Sequence, residues 1–394
     1  MDCWSKLKVV FRLNHSMELP VLFAIKENRT MIIRKYLGLS LTILCFQFAF
    51  ADDVKKPQID PDGTIHVPSF QLPESAFLGA ETRAALKFQR DVGASEGQEI
   101  AKRCPSFEGA DMADMPAIRQ CQADQFYTSS LYKKIRERYD VSIKPQTIGG
   151  VYTEIFTPTR GIKKENESKV LINVHGGGFT GGSRTVSHLE SIPIASVGEI
   201  KVISIDYRMA PEYQFPAASE DVEKVYRELL KQYKPENIGL YGCSAGGMLT
   251  AQSVAWFLGK NLPLPAAIGM FCAGASNPWI GDSHHFGAAI TGYSGSFDAN
   301  LYFKGASLTN SLVFPIVSED IMEKFPPSLL IAGTRDFVLG PIVKTHTELR
   351  RLGVEADLVV WEGLAHAFHF NAEIPESREA YNIIVDFFEE HLGQ

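Results

Sequence analysis

A serine in a glycine-flanked turn is the residue of this sequence best placed to act as a nucleophile. The string Gly242-Cys243-Ser244-Ala245-Gly246 follows an apolar, strand-like segment and precedes a segment with helical spacing. A strand, a tight turn and a helix in this order raise a serine hydroxyl above the edge of a sheet. The glycines leave room for the turn, since a Cβ there would crowd the backbone. The pattern predicts a serine that attacks carbonyl carbon, and the alternative is a glycine turn without a chemical role.

A serine hydroxyl needs a base near neutral pH, and the base needs a group that holds its tautomer. Asp336 follows the strand-like segment 328–332, and His366 follows the one that ends at Trp361. Open α/β sheets place their sites beyond the carboxyl ends of strands. Serine, acid and histidine also occur here in the chain order typical of a strand-turn-helix nucleophile. We therefore predict that Ser244, Asp336 and His366 form a catalytic triad.

Four other histidines in the carboxyl-terminal half fit the role of base less well. His346 falls within a helical segment, and His369 comes after the loop that carries His366. His284 and His285 belong to an insertion between strands. We interpret His346 as a surface or packing residue, and the other three as weaker candidates for the base than His366.

A run of glycines follows another strand-like segment and could stabilise a negative oxygen. In His175-Gly176-Gly177-Gly178, three residues without side chains allow backbone N–H groups to approach a substrate. Acyl transfer through a tetrahedral intermediate requires such preset donors. We predict that the N–H groups of Gly176, Gly177 and Ala245 form the oxyanion hole. The alternative is again a glycine turn with no role.

Short β-branched segments alternate with helical segments from about residue 150 onward. This alternation predicts an α/β fold with a mainly parallel sheet that is covered by helices on both faces. The predicted strands are 151–157, 169–174, 201–206, 238–242, 267–272, 328–332 and 356–361. The predicted helices are 79–92, 121–139, 186–197, 218–233, 245–259, 341–352 and 376–391.

The sequence pattern divides the chain into a catalytic domain and the region that precedes it. Residues 151–394 are expected to form the catalytic domain, with a lid insertion near 276–325 that has no strong periodicity. Residues 52–150 are expected to form a linker and a helical N-terminal cap region. Bulky side chains in both the cap and the lid are expected to narrow an apolar pocket, among them Phe77, Phe88, Tyr293, Tyr302 and Phe303.

Residues 31–51 carry the three parts of a secretory signal peptide. A basic start precedes an apolar run, and Ala-Phe-Ala precedes Asp52. A buried core helix is the alternative, but the charges at both ends of the run disfavour it. Residues 1–30 are expected to be a spurious or unstructured extension, with Met31 as the real start. The run is short for a permanent membrane anchor, so we expect a periplasmic or secreted protein.

Composition excludes several classes of function. The 394 residues are 45% hydrophobic and 22% charged, which is an ordinary globular balance. The net charge of −7 argues against nucleic acid as a partner, because phosphate binding needs clustered basic residues.

The six cysteines form no paired clusters with zinc-ligand spacing, which excludes a zinc ribbon or an iron–sulfur site as the organising feature of the fold. We expect no metal and no cofactor. Cys104 and Cys121 could close a small disulfide loop in an oxidising compartment, and free thiols are the alternative.

Taken together, the motifs resemble those of the hormone-sensitive-lipase-type branch of the α/β-hydrolase esterases. The matching segments are 175–179, 206–212, 242–247 and those around Asp336 and His366, and the resemblance covers residues 65–392. It implies an α/β-hydrolase fold with a helical cap, and a carboxylesterase that acts mostly on short acyl chains.

The resemblance also bears on individual residues. It implies a structural role behind the site for Asp206, Arg208 and Glu212, and we extend that role to Asp221. Cys243 is a departure, since the family most often has Asp or Thr before the nucleophile. This departure puts specificity in doubt rather than the triad.

The leading hypothesis is a serine esterase for small-molecule esters that works through an acyl-enzyme. A lactonase, an amidase or a thioesterase could use the same triad. A non-catalytic ligand-binding protein on the same fold is a further alternative. Hormone receptors similar to this family have lost the catalytic histidine, whereas His366 is present here. Monomer and homodimer both remain open.

Overall fold

The computed structural model of the protein describes residues 56–105, 111–293 and 295–394. The expected signal peptide and the extension before it lie outside the described residues. The chain divides into two units at Leu72. The described part of the first unit contains two short antiparallel strands, β1 (Gln58–Ile59) and β2 (Ile65–His66).

The second unit, from Pro73 to Gln394, is built around an eight-stranded sheet. Its strands are β3 (Val141–Ile148), β4 (Val151–Pro158), β5 (Val170–Val174), β6 (Val202–Ile205), β7 (Ile238–Cys243), β8 (Ala267–Phe271), β9 (Ser328–Arg335) and β10 (Ala356–Ala365). They lie in the order β10-β9-β8-β7-β5-β6-β4-β3. The strands from β10 across to β6 are parallel, and β4 and β3 continue the sheet in antiparallel pairs. The predicted mainly parallel sheet is confirmed.

The described residues form ten α-helices, several of which cover the two faces of this sheet. They are α1 (Ala80–Arg103), α2 (Met115–Phe126), α3 (Ser130–Arg138), α4 (Val186–Gly198), α5 (Ala217–Leu229), α6 (Ala245–Gly259), α7 (Asp282–Thr291), α8 (Glu319–Met322), α9 (Leu339–Arg351) and α10 (Pro375–His391). Helices α5, α6 and α9 bury apolar side chains such as Tyr226, Leu249 and Ile342 on one face. Helices α4 and α10 bury Ile192 and Phe388 on the other. The sequences of the central strands are mainly apolar, because helices cover both faces of these strands.

Two of the differences from the predicted elements have a clear physical reason. Strand β3 was not predicted, because its exposed face is polar and it contains Pro145, which a sheet tolerates at its edge. The single helix predicted over 121–139 is wrong, because α2 ends at Phe126 and α3 begins at Ser130. The Ser129 hydroxyl accepts a hydrogen bond from the N–H of Tyr132 at 3.2 Å and thereby caps a new helix.

Part of the predicted lid insertion is buried. In the 276–325 insertion, Tyr302, Phe303 and Phe314 are buried in the core on the α5, α6 and α9 face. That part of the insertion is therefore fixed in the core.

A disulfide between Cys104 and Cys121 joins the end of α1 to α2. No helix in the described ranges is long and apolar enough to cross a membrane.

Candidate active site

Ser244, His366 and Asp336 form one hydrogen-bonded chain. His366 Nε2 lies 2.9 Å from Ser244 Oγ, and His366 Nδ1 lies 2.8 Å from Asp336 Oδ1. Ser244 stands between β7 and α6, Asp336 follows β9, and His366 follows β10. These strands are parallel, so their carboxyl ends meet at one edge of the sheet. The structure thus brings together the three side chains that the sequence singled out.

The backbone at the serine adopts a conformation that few residues with side chains tolerate. Ser244 has a φ of 57°, and its N–H donates to the carbonyl of Phe271 at 2.8 Å. Phe179, Cys272 and Ala367, all close to this edge of the sheet, also have positive φ angles. Such strained residues cluster at functional sites, where the surrounding structure holds them in place.

Contacts on both sides fix the orientation of the histidine. The Asp336 carboxylate is buried, and its Oδ1 also accepts the N–H of Val338 at 3.0 Å. The Phe337 ring packs on the other side, with its centroid 4.6 Å from that of the His366 ring. An acceptor fixed in this way favours the tautomer that carries its proton on Nδ1 and leaves Nε2 free to face the serine.

The predicted oxyanion hole needs one correction. The N–H of Gly176 donates to Glu190 Oε1 at 2.9 Å, so it has no free donor for a substrate oxygen. The N–H groups of Gly177, Gly178 and Ala245 donate to no acceptor among the described residues. Gly177 has a φ of 116°, and a Cβ there would lie 2.2 Å from the carbonyl oxygen of Gly181. The turn therefore requires glycine at this position.

Glu190 is a buried carboxyl group that the sequence analysis missed. Its Oε2 accepts the Asn173 amide at 2.6 Å, and Asn173 in turn accepts the Ser204 hydroxyl at 2.7 Å. Burial raises the pKa of Glu190 to about 8. The available signal was a lone acidic residue near the middle of the otherwise apolar helix α4. Glu190 therefore anchors the glycine loop to the sheet, mainly as a neutral acid at neutral pH.

The raised pKa of Glu190 predicts a specific dependence of stability on pH. The folded chain holds this proton from the ordinary pKa of 4.5 up to about 8, whereas the unfolded chain does not. The stability that this bound proton gives to the folded chain is therefore fully present below pH 4.5. It is lost as the pH rises through about 8. We expect Glu190→Gln to flatten this slope, which reaches at most about 1.4 kcal/mol per pH unit.

Urea unfolding between about pH 5 and pH 8 would measure that slope. Glu165→Gln, which changes an exposed glutamate, is the matched control and should leave the slope unchanged. An equal slope in the Glu190→Gln variant and the unaltered chain would show that this carboxyl does not titrate as stated.

A pocket of about 410 Å³, part of it open to solvent, lies over Ser244. Its walls are largely apolar and consist of residues Gly178, Phe179, Ala245, Met248, Cys272, Ala273, Pro278, Trp279, Tyr293, Asn300, Phe337 and Val338. The expectation that the cap also narrows this pocket is wrong for the side chains named for it. Phe77 is exposed, and Phe88 lines a separate cavity between α1 and α3. Of the aromatic residues expected from the lid, Tyr293 lines the pocket.

Ion pairs support the loops behind the site, as the resemblance implies for the 206–212 segment. Arg208 Nε lies 2.8 Å from the buried Asp221 carboxylate. Glu212 receives two hydrogen bonds, at 2.6 and 2.8 Å, from Arg119 of helix α2. Arg119 also donates to the carbonyls of Thr180 and Ala210. Sequence reasoning missed Arg119, since no local pattern shows that α2 packs on these loops.

Comparison with known proteins supports the same fold. Residues 171–370 match a family model described as the alpha/beta hydrolase fold. An acetyl-hydrolase of Streptomyces hygroscopicus is 26% identical over 260 residues, which cover 63% of this chain and 83% of that protein. A solved esterase structure is 30% identical with a TM-score of 0.69, covering 83% of this chain and 98% of its own. An esterase from the bacterial hormone-sensitive lipase family is 25% identical with a TM-score of 0.65, covering 80% and 99%.

Proposed function

We propose that this chain, which belongs to the hormone-sensitive-lipase-type α/β hydrolases and is a carboxylic ester hydrolase, cleaves short-chain acyl esters through a Ser-His-Asp triad. The observation that carries the proposal is the pair of hydrogen bonds, 2.9 and 2.8 Å long, that joins Ser244 to His366 and His366 to Asp336. The oxygen nucleophile, the base and the orienting acid are thus within the reach that proton transfer requires.

In the proposed mechanism, Ser244 Oγ attacks the acyl carbonyl carbon while His366 Nε2 takes the hydroxyl proton. The carbonyl oxygen becomes negative and is stabilised by the N–H groups of Gly177, Gly178 and Ala245. His366 then gives its proton to the leaving alcohol as the carbon–oxygen ester bond breaks. Water, activated by the same histidine, attacks the acyl-enzyme and releases the carboxylic acid and the free serine.

The shape of the pocket supports a preference for short acyl chains. Trp279 Nε1 donates to the hydroxyl of Tyr293 at 3.2 Å, and both rings line the pocket. This pair forms a wall that an acyl chain meets as it lengthens. Each methylene buried before that point strengthens binding by about 0.8 kcal/mol. The preferred acyl chain should therefore have about two to six carbons.

A series of p-nitrophenyl esters tests this preference. We expect kcat/KM to reach its maximum at short chains and to fall for longer ones. Trp279→Ala removes part of the wall and should raise the ratio of octanoyl to butyryl kcat/KM by about tenfold or more. Trp256→Ala is the control, because its indole donates to Glu223 and does not line the pocket.

A rate on palmitoyl esters equal to that on butyryl esters, measured below the aggregation limit, would contradict the length preference. Matched lactone, amide and thioester substrates separate esterase activity from the other reactions that a triad supports. No turnover of any ester by folded protein would favour a ligand-binding role.

We also propose that the enzyme works in an oxidising compartment, the periplasm or the exterior of the cell. The Cys104–Cys121 disulfide supports this proposal, since such bonds persist mainly in oxidising surroundings. N-terminal sequencing of the protein from its native host should begin at Asp52. A cytosolic protein that still carries Met1 would overturn it.

A further inference from the structure

Three side chains that commonly bind metal ions meet directly behind the Ser244 turn. Cys243 ends β7 and immediately precedes the serine, and Cys272 follows β8. His369 lies in the short turn after β10. The ligand atoms of these three residues all lie within 4.8 Å of one another, and all three residues are buried.

The ring nitrogens of His369 are the unusual feature of this group. His369 is 2% exposed, and neither of its ring nitrogens has a hydrogen-bond partner among the described residues. Burying a polar group without a partner costs free energy, and buried polar groups in folded proteins are nearly always satisfied. The proposed catalytic mechanism does not use His369. A bound metal ion would give one of these nitrogens a partner, because it accepts the lone pair of the nitrogen.

The chemistry of the three donor atoms indicates which metal ion would bind. Two sulfur atoms and one imidazole nitrogen form a soft set that suits Zn²⁺ and related d¹⁰ ions rather than Mg²⁺ or Ca²⁺. Zinc sites with three protein ligands leave a fourth, open position. Zinc–sulfur bonds of about 2.3 Å and zinc–nitrogen bonds of about 2.0 Å place tetrahedral ligand atoms about 3.5 to 3.8 Å apart. The three ligand atoms, which lie within 4.8 Å of one another, draw together to that spacing when the ion binds.

An ion could reach these ligands from the substrate pocket. Cys272 lines that pocket, whereas Cys243 and His369 do not. Cys272 Sγ also lies within 4.8 Å of the ligand atoms of Asp336 and His366. That second group has only one sulfur atom and includes a carboxylate, so it suits a soft ion less well.

We propose that Cys243, Cys272 and His369 form a binding site for Zn²⁺ or a similar soft d¹⁰ ion, entered through the substrate pocket. Metal binding at this site also affects the active site, a consequence that rests on the proposed function. Cys243 is covalently joined to Ser244, and Cys272 Sγ accepts the N–H of Ala367, the residue after His366, at 3.2 Å. Ligation of both sulfurs disturbs the nucleophile and base together, so bound Zn²⁺ lowers ester turnover.

Cobalt provides a direct probe, because Co²⁺ occupies zinc sites and absorbs light through its bonds to thiolates. The full chain with Cys3→Ser and Cys45→Ser leaves Cys243 and Cys272 as its thiols outside the Cys104–Cys121 disulfide. A thiol assay that finds two reactive thiols per unfolded chain would show that Cys243 and Cys272 are reduced. Anaerobic titration should then give a thiolate–cobalt band that saturates at one equivalent and disappears when Zn²⁺ is added.

Variants identify the ligands. Cys272→Ala should abolish the band, and His369→Leu should weaken Co²⁺ and Zn²⁺ binding by more than about tenfold. Leucine at 369 leaves no buried polar atom, so this variant should fold, and circular dichroism would verify that. His346→Leu is the control, since His346 lies on α9 away from the group, and it should bind the ions as before.

Several outcomes would overturn the site. They are the absence of a thiolate–cobalt band in folded protein, binding that persists in the His369→Leu variant, and a native Cys243–Cys272 disulfide. Loss of the band in Asp336→Asn with retention in His369→Leu would assign the ion to the other group of ligands. These readouts measure binding, so they remain valid whether or not the protein hydrolyses esters.

Discussion

Replacing Ser244 with alanine is expected to lower kcat on p-nitrophenyl butyrate by about 10⁴- to 10⁶-fold. The variant keeps the pocket and the proposed oxyanion donors but lacks the oxygen that would form the proposed acyl-enzyme. Its fold should remain intact, because the substitution removes one hydroxyl, whose hydrogen-bond partner among the described residues is His366. Burst-phase and steady-state kinetics of the purified variant measure this loss.

The partners of the serine should behave as one unit with it. His366→Ala should cost about as much as Ser244→Ala, and Asp336→Asn about 10⁴-fold, because asparagine favours the wrong histidine tautomer. The double variant of Ser244 and His366 should lose no more than either single variant.

Ser253→Ala is the matched control for the serine. Its hydroxyl is buried on α6, the helix that begins directly after Ser244, and donates to the carbonyl of Leu249. We expect near-normal turnover in this control. If the Ser244→Ala variant keeps more than about a tenth of the activity, another group must be the nucleophile.

Adding one methyl group at Gly246 is expected to reduce kcat/KM by about 100-fold or more. An alanine Cβ there would lie 1.9 Å from the carbonyl oxygen of Val174 and 2.8 Å from the carbonyl carbon of His175. Both are backbone atoms of β5 and the glycine loop, so neither can rotate away as a side chain could. The turn must open, and a displacement of about 1 Å at the reacting atoms costs about 100-fold in rate.

Thermal unfolding and kinetics together measure the effect of Gly246→Ala. The overpacked turn should also lose about 1 to 3 kcal/mol of stability. Gly259→Ala on the same helix is the control, because no heavy atom lies within 4 Å of its added Cβ. Wild-type kinetics in Gly246→Ala would mean that the loop and the turn are less closely packed than the structure indicates.

Several parts of the fold and site follow from local sequence patterns. The strand-turn-helix pattern around Ser244 predicts the nucleophile, since the geometry of a tight turn depends on a few adjacent residues. Continuous apolar runs predict the buried parallel strands, because both faces of those strands are covered. The edge strand β3 could not be predicted from an apolar run, since one of its faces is exposed and carries polar residues.

Other features depend on contacts that no local pattern encodes. Glu190 lies on α4 but occupies the N–H of Gly176, which removes that group from the predicted oxyanion donors. Arg119 lies on α2 but pairs with Glu212, far along the chain. The side chains named for the cap face other cavities or solvent, because the packing of α1 against the rest of the molecule directs them there.

The sequence by itself determined the reactive residue types, their order and the parallel sheet, because turn chemistry and apolar periodicity act over short stretches of chain. Only the tertiary structure decided the distances between Ser244, His366 and Asp336, and which backbone donors remain free. It also decided that Cys243, Cys272 and His369 meet behind the serine. The physical reason is that parallel strands distant in the chain end at one edge of the sheet, where packing and hydrogen-bond competition assign each group its partner.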